Sequence, residues 1–127
     1  MKPIKGKSFL DTNILIYFIG EEITKQSIAG NIIYSENELL ISTQVINEFI
    51  NVSYKKLSYN TIQITSILNI LKKRISVKII SENTINRAIS LKDIYKYSYC
   101  DSLILASALE HNCEYIYSED FQDSTNR

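Results

Sequence analysis

The chain has 127 residues, 45% hydrophobic and 22% charged, with three glycines and one proline; that balance suits one globular domain over residues 1–127 and excludes a disordered tail or long linker. Fourteen Lys+Arg offset fourteen Asp+Glu for a formal net charge of zero, so any binding to nucleic acid, membrane or acidic partners must be local. Cys100 and Cys113, the only two cysteines, are too few for a disulfide framework and lie in apolar stretches, where reduced, buried thiols are expected.

The first elements follow from apolar runs and the polar residues that break them. Lys7 to Leu10 is predicted to be a short buried strand, Asp11-Thr12-Asn13 a sharp turn, and Ile14 to Ile19 a helix. Thr12 or Asn13 is placed to cap that helix, which leaves Asp11 at the carboxyl end of the strand. Glu21 to Ser35 shows helical spacing through Ile23, Ile28, Ile32 and Ile33, weakened by Gly30. Leu39 to Ile41 is a second buried strand. Ser42 and Thr43 cap a helix to about Leu57 whose inward stripe is Val45, Ile46, Phe49 and Ile50. Glu48 lies off that stripe, beside Gln44 and Asn51.

A further helix from about Thr61 to Lys73 ends in cations that suit a helix carboxyl end. Val77 to Ile80 reads as a third strand. Glu82 to about Tyr95 is helical, with Ile85, Ala88, Ile89 and Leu91 inward, and a tyrosine-rich connector follows. Ser98 begins a helix whose body, Leu103 to Leu109, is apolar almost all round and must be buried. Ser98 and Asp101 have capping-box spacing, and His111-Asn112 stops the helix. Cys113 to Tyr117 is the fourth strand. Strands alternating with helices imply an α/β fold with a mostly parallel sheet of about four strands and helices on both faces.

In such sheets chemistry gathers outside the carboxyl ends of the strands. Asp11 and Asp120 follow the first and fourth strands, and Glu48 and Asp101 lie early in helices that begin near the same edge. Like charges about 5 Å apart at an effective dielectric of about 20 repel by roughly 3 kcal/mol. Four converging carboxylates therefore need neutralising, by protonation or by hard divalent cations such as Mg²⁺ or Mn²⁺. Two such ions about 3.5 to 4 Å apart serve in-line phosphodiester cleavage. Taken singly, each acid also has a plain structural use: Asp11 or Asp101 as a cap, Glu48 as a solvated side chain, Asp120 in a turn.

Four segments together carry more weight. Phe9 to Asn13, Ser42 to Phe49, Tyr99 to Ala108 and Tyr117 to Asp120 resemble, in order, the four signature blocks of PIN domains, in particular the VapC-type toxins of VapBC toxin–antitoxin pairs. The resemblance implies a PIN-like three-layer sandwich. It also implies that Asp11, Glu48, Asp101 and Asp120 are catalytic and hold Mg²⁺ or Mn²⁺, supported by Asn13 and Ser118. It further implies an RNA substrate, a homodimer and an antitoxin partner. Glu119, beside Asp120, competes for the fourth acidic position, and the family pattern favours Asp120. PIN domains usually continue into another strand, whereas this sequence stops at Arg127, so either the sheet is expected to lack its usual final edge strand or the chain is truncated.

The expected function is thus a metal-dependent endoribonuclease, the toxin of a type II pair. The alternative is an inactive PIN-fold module that binds an antitoxin or RNA; a phosphatase using the same metal logic is a third reading. His111 is explained by its helix end rather than by general-base catalysis. Tyr95, Tyr97 and Tyr99 suit core or dimer contacts better than RNA stacking. The apolar run after Met1 to Lys7 is broken by Asp11 and Asn13 and shows neither signal peptide nor membrane span, so a cytoplasmic location is expected.

Overall fold

The computed structural model describes residues 6–118. Four strands, β1 (Lys7–Leu10), β2 (Glu38–Ser42), β3 (Ile75–Lys78) and β4 (Tyr115–Tyr117), form one sheet in the order β3-β2-β1-β4. Every pairing is parallel, with Phe9 opposite Leu40 and Ile116, and Leu39 opposite Ile75. The α/β fold and parallel four-stranded sheet are as expected. Any strand after β4 would fall outside the described residues.

Six helices make the crossovers: α1 (Thr12–Ile19), α2 (Ile23–Ile33), α3 (Thr43–Lys55), α4 (Thr61–Lys72), α5 (Glu82–Tyr95) and α6 (Tyr99–Glu110). The chain steps outward from β1 to β2 to β3, then returns to the far side of β1 for β4. Right-handed crossovers therefore put α1 to α4 on one face and α5 with α6 on the other. Contacts agree, since α1 packs on α2 and α3 while α5 packs on α6. The direction of winding reverses between β1 and β4, and the crevice at the carboxyl ends of these strands is where such sheets bind ligands.

The core is built on the two central strands. Phe9, Leu10, Leu40 and Ile41 are buried from both sides, and Val45 and Phe49 close over them from α3. Fully burying side chains of this size contributes about 1.5–3 kcal/mol each. A smaller cluster of Ala88, Leu103 and Ala106 joins α5 to α6.

Several details differ from the sequence reading. β3 starts two residues earlier than Val77, because register with β2 buries Ile75 against Leu39 and leaves Ile79 78% exposed. α5 turns Thr84 and Ala88 inward and leaves Ile85 and Ile89 exposed. The cause is a hydrogen bond: Thr84 Oγ1 donates to Glu110 Oε2 at 2.6 Å, drawing a polar residue beneath the helix. In α2 the buried residues are Ala29 and Ile33, while Ile23 and Ile28 face outward. α1 is capped by Asp11 rather than by Thr12 or Asn13, its side chain accepting from the Thr12 N–H. Ser42 caps α3 and Ser98 caps α6, as expected. His111 and the left-handed Asn112 end α6.

Candidate active site

The carboxyl edge of the sheet carries a cleft of ≈ 390 Å³ whose lining includes Asp11, Glu48 and Asp101. These acids are 37 and 53 residues apart in sequence and arrive by three routes. Asp11 follows β1 directly, Glu48 lies one turn beyond the start of α3, and Asp101 sits in the first turn of α6. Helices α1, α3 and α6 thus all begin at this edge, and their positive ends face the acids.

Asp11 is only 5% exposed. Its Oδ1 accepts from the Thr12 N–H at 2.6 Å and its Oδ2 from the Ser118 hydroxyl at 2.7 Å. The Asp11 N–H donates to the Tyr117 carbonyl at 3.0 Å, tying the residue to the end of β4 and hence to the point where winding reverses. Glu48 is also held twice: Thr12 Oγ1 donates to Oε2 at 3.0 Å and Gln44 Nε2 to Oε1 at 2.9 Å. At α6, the Asp101 N–H donates to the Ser98 hydroxyl at 3.1 Å.

Among the described residues lining the cleft none is Lys, Arg or His, and its other polar members are Thr12, Asn13, Asn51, Ser98 and Cys100. The shared field of the acids registers on Cys100. Partial burial, then the charges of Glu48, Asp101 and Asp11, raise its thiol pKa above the ordinary value. Cys100 had been expected in the core, but it is exposed at the cleft, because the first turn of α6 faces the opening and the buried stretch starts at Ser102. Cys113 is half-buried, and both thiols are free.

Of the expected site residues, Asp11, Asn13, Glu48 and Asp101 line one cleft, and Ser118 touches it through Asp11. Asp120 and its competitor Glu119 lie outside the described residues. Sequence reasoning did not assign a site role to Thr12, which bonds to both Asp11 and Glu48. The signal was its place beside Asp11 at a helix start, which had been read as capping alone. Tyr97 packs on the core, and Tyr95 stacks on Tyr97 with centroids 5.7 Å apart, in keeping with a structural use.

The fit to a metal ion can be judged from these donors. Carboxylates and hydroxyls form an oxygen-rich set suited to Mg²⁺ or Mn²⁺, with one sulfur at its margin. As they stand, no three His, Cys, Asp or Glu side chains among the described residues enclose an ion. The oxygens of Asp11 and Glu48 are instead turned toward their hydroxyl, amide and N–H donors. The donor chemistry fits, and each bonded carboxylate oxygen keeps a further lone pair that an ion could use.

No curated protein matches the chain. Among solved structures, the fold is similar to that of VapC20 of Mycobacterium tuberculosis, a sarcin-ricin loop cleaving toxin, with TM-score 0.74 at 15% identity over 93% of each chain. It is similar to a chain of a toxin–antitoxin complex from Klebsiella pneumoniae, with TM-score 0.68 at 25% identity over 92% of this chain and 89% of that one. It is also similar to a chain of VapBC2 from Rickettsia felis bound to a DNA fragment from its promoter, with TM-score 0.65 at 20% identity over 97% and 92%. The family model for the PIN domain matches residues 8–122, and the chain belongs to the PIN domain family.

Proposed function

We propose that the protein, read as a single domain, is a metal-dependent endoribonuclease and the toxin of a type II toxin–antitoxin pair. One observation carries the reading: three carboxylates from separate segments line one cleft at the reversal of the sheet. Membership of the PIN family and similarity in fold to toxins of such pairs support it.

In this reading Asp11, Glu48 and Asp101, joined by Asp120, would hold Mg²⁺ or Mn²⁺, with Asn13 and Ser118 in support. A divalent cation held there would cancel phosphate charge and make water a better nucleophile near neutral pH. The chain's own residues provide the frame. Thr12 and Ser118 aim the Asp11 carboxylate, Gln44 and Thr12 aim that of Glu48, and the starts of α1, α3 and α6 favour an anionic phosphate at the same edge. Hydrolysis adds water across a phosphorus–oxygen bond and leaves a phosphomonoester and a hydroxyl.

We further propose an antitoxin partner and a homodimer acting in the cytoplasm. The Klebsiella and Rickettsia neighbours being toxin–antitoxin assemblies supports the antitoxin. No helix among the described residues is long and apolar enough to cross a membrane.

Purified protein is expected to cleave RNA with Mn²⁺ or Mg²⁺, and Asp11→Asn or Asp101→Asn to lower the rate at least about a hundredfold, each removing about 3 kcal/mol of transition-state stabilisation. Cleavage that persists in those variants or in excess chelator refutes the assignment. Mn²⁺ binding without cleavage of any RNA tested points to the inactive module, and turnover of small phosphate esters alone points to a phosphatase.

A further inference from the structure

Beside the cleft, the side chain of Gln44 joins α3 to α6. Gln44 lies in the first turn of α3, one turn before Glu48. Its Nε2 donates to Glu48 Oε1 at 2.9 Å and to the backbone carbonyl of Cys100 at 3.3 Å. The first bond stays on α3, whereas the second crosses to the first turn of α6, beside Asp101.

An amide nitrogen carries two hydrogens, and here each has its own acceptor. That settles the orientation of the side chain. Turning the amide over would set Oε1 against a carboxylate and a carbonyl, neither of which can donate. The orientation has a cost, because Gln44 Oε1 is buried with no hydrogen-bond partner. The arrangement persists because one of the two bonds goes to a carboxylate, and bonds to charged acceptors are the stronger kind.

Glu48 is consequently fixed from three directions. Its backbone belongs to α3, its Oε2 is tied to α1 through Thr12, and its Oε1 is tied through Gln44 to the start of α6. We propose that Gln44 is a positioning residue that sets the gap between Glu48 on α3 and Asp101 on α6. The consequence for metal binding rests on the nuclease reading above; the clamp between the helices does not.

The test uses the full chain and Gln44→Met, which keeps length and volume but has no N–H to donate. Mn²⁺ affinity is measured by titration, and hydrogen exchange is followed at the Asp101 and Ser102 amides, which bond to Ser98. The Ile64 amide in α4, bonded to Asn60, is the internal reference. Loss of an oriented ligand support is expected to weaken Mn²⁺ binding about tenfold. Exchange at Asp101 and Ser102 should rise about tenfold with Ile64 unchanged, as local opening becomes easier.

Unchanged exchange at those two amides overturns the proposal whatever the metal does. So does Mn²⁺ affinity within about twofold of a wild-type protein that itself binds the ion. Should wild type bind no Mn²⁺, the nuclease reading falls and exchange alone decides on the clamp. Gln44→Ala serves the same comparison if Gln44→Met fails to fold.

Discussion

The hydroxyl of Ser118 offers a test of how the site is held that does not depend on knowing the substrate. It donates to Asp11 Oδ2 at 2.7 Å, and Asp11 is 5% exposed. Ser118→Ala removes that donor and leaves a buried carboxylate oxygen with one bond fewer. Hydrogen bonds to charged groups contribute about 1.5–3 kcal/mol. Ser118 is itself only half-buried, so water can replace part of the lost bond. The lower end, about 1.5 kcal/mol, is therefore the expected loss.

At about 2.1 cal/mol/K of unfolding entropy per residue, a chain of 127 residues loses about 4 °C of Tm per kcal/mol. Calorimetry of Ser118→Ala at pH 7 should thus show a fall of about 6 °C. Ser118→Thr, which keeps the donor, should stay within about 2 °C of wild type, as should the exposed control Ser90→Ala. A fall of less than about 1 °C for Ser118→Ala would mean that the bond is not what holds Asp11 at the end of β4.

Two further predictions concern Ser102 and Cys113. The hydroxyl of Ser102 is fully buried without a partner; Ser102→Ala should be neutral or raise stability by up to about 1 kcal/mol in a denaturant titration, and a loss of that size would show that the hydroxyl has a donor or acceptor. Cys113 has its pKa raised from 9.0 to about 11, first by burial. At pH 8 that lowers its thiolate fraction about a hundredfold, so alkylation in the native protein should lag the unfolded chain by about that factor. The sign for stability follows. The unfolded thiol ionises near pH 9 and the folded one near 11, so stability is full below pH 9 and lost between the two, and Cys113→Ala should flatten the decline.

The parts of the fold that could be read from the sequence are those where burial is complete. β1 and β2 sit in the middle of a parallel sheet and are covered on both faces, so Phe9-Leu10 and Leu39-Leu40-Ile41 stand out as unbroken apolar runs. β3 is an edge strand with one well-buried residue, Ile75, and the apolar residues Val77, Ile79 and Ile80 that follow place the strand too late in the sequence. The helix ends were legible because capping needs particular side chains at fixed places, as with Ser42 and Ser98. The inward face of α5 was not. No periodicity of apolar residues announces that Thr84 will turn inward to meet Glu110, a residue 26 positions away.

The cleft divides along the same line. That Asp11, Glu48 and Asp101 share an edge follows from their placement after strands or at helix starts. That Thr12 and Gln44 hold Glu48 does not, since each bond depends on the distance between helices that meet only in the folded chain.

Topology also explains why the acids crowd there at all. Because the winding reverses between β1 and β4, the starts of α1, α3 and α6 gather at one edge, and each adds a partial positive charge beside a carboxylate. Each such end contributes about 0.3–1 kcal/mol at a partly exposed site. The three acids repel one another across this edge, and the helix ends offset part of that repulsion. A divalent cation entering there would be met by Asp11 and Glu48 carboxylates already held by Thr12, Ser118 and Gln44.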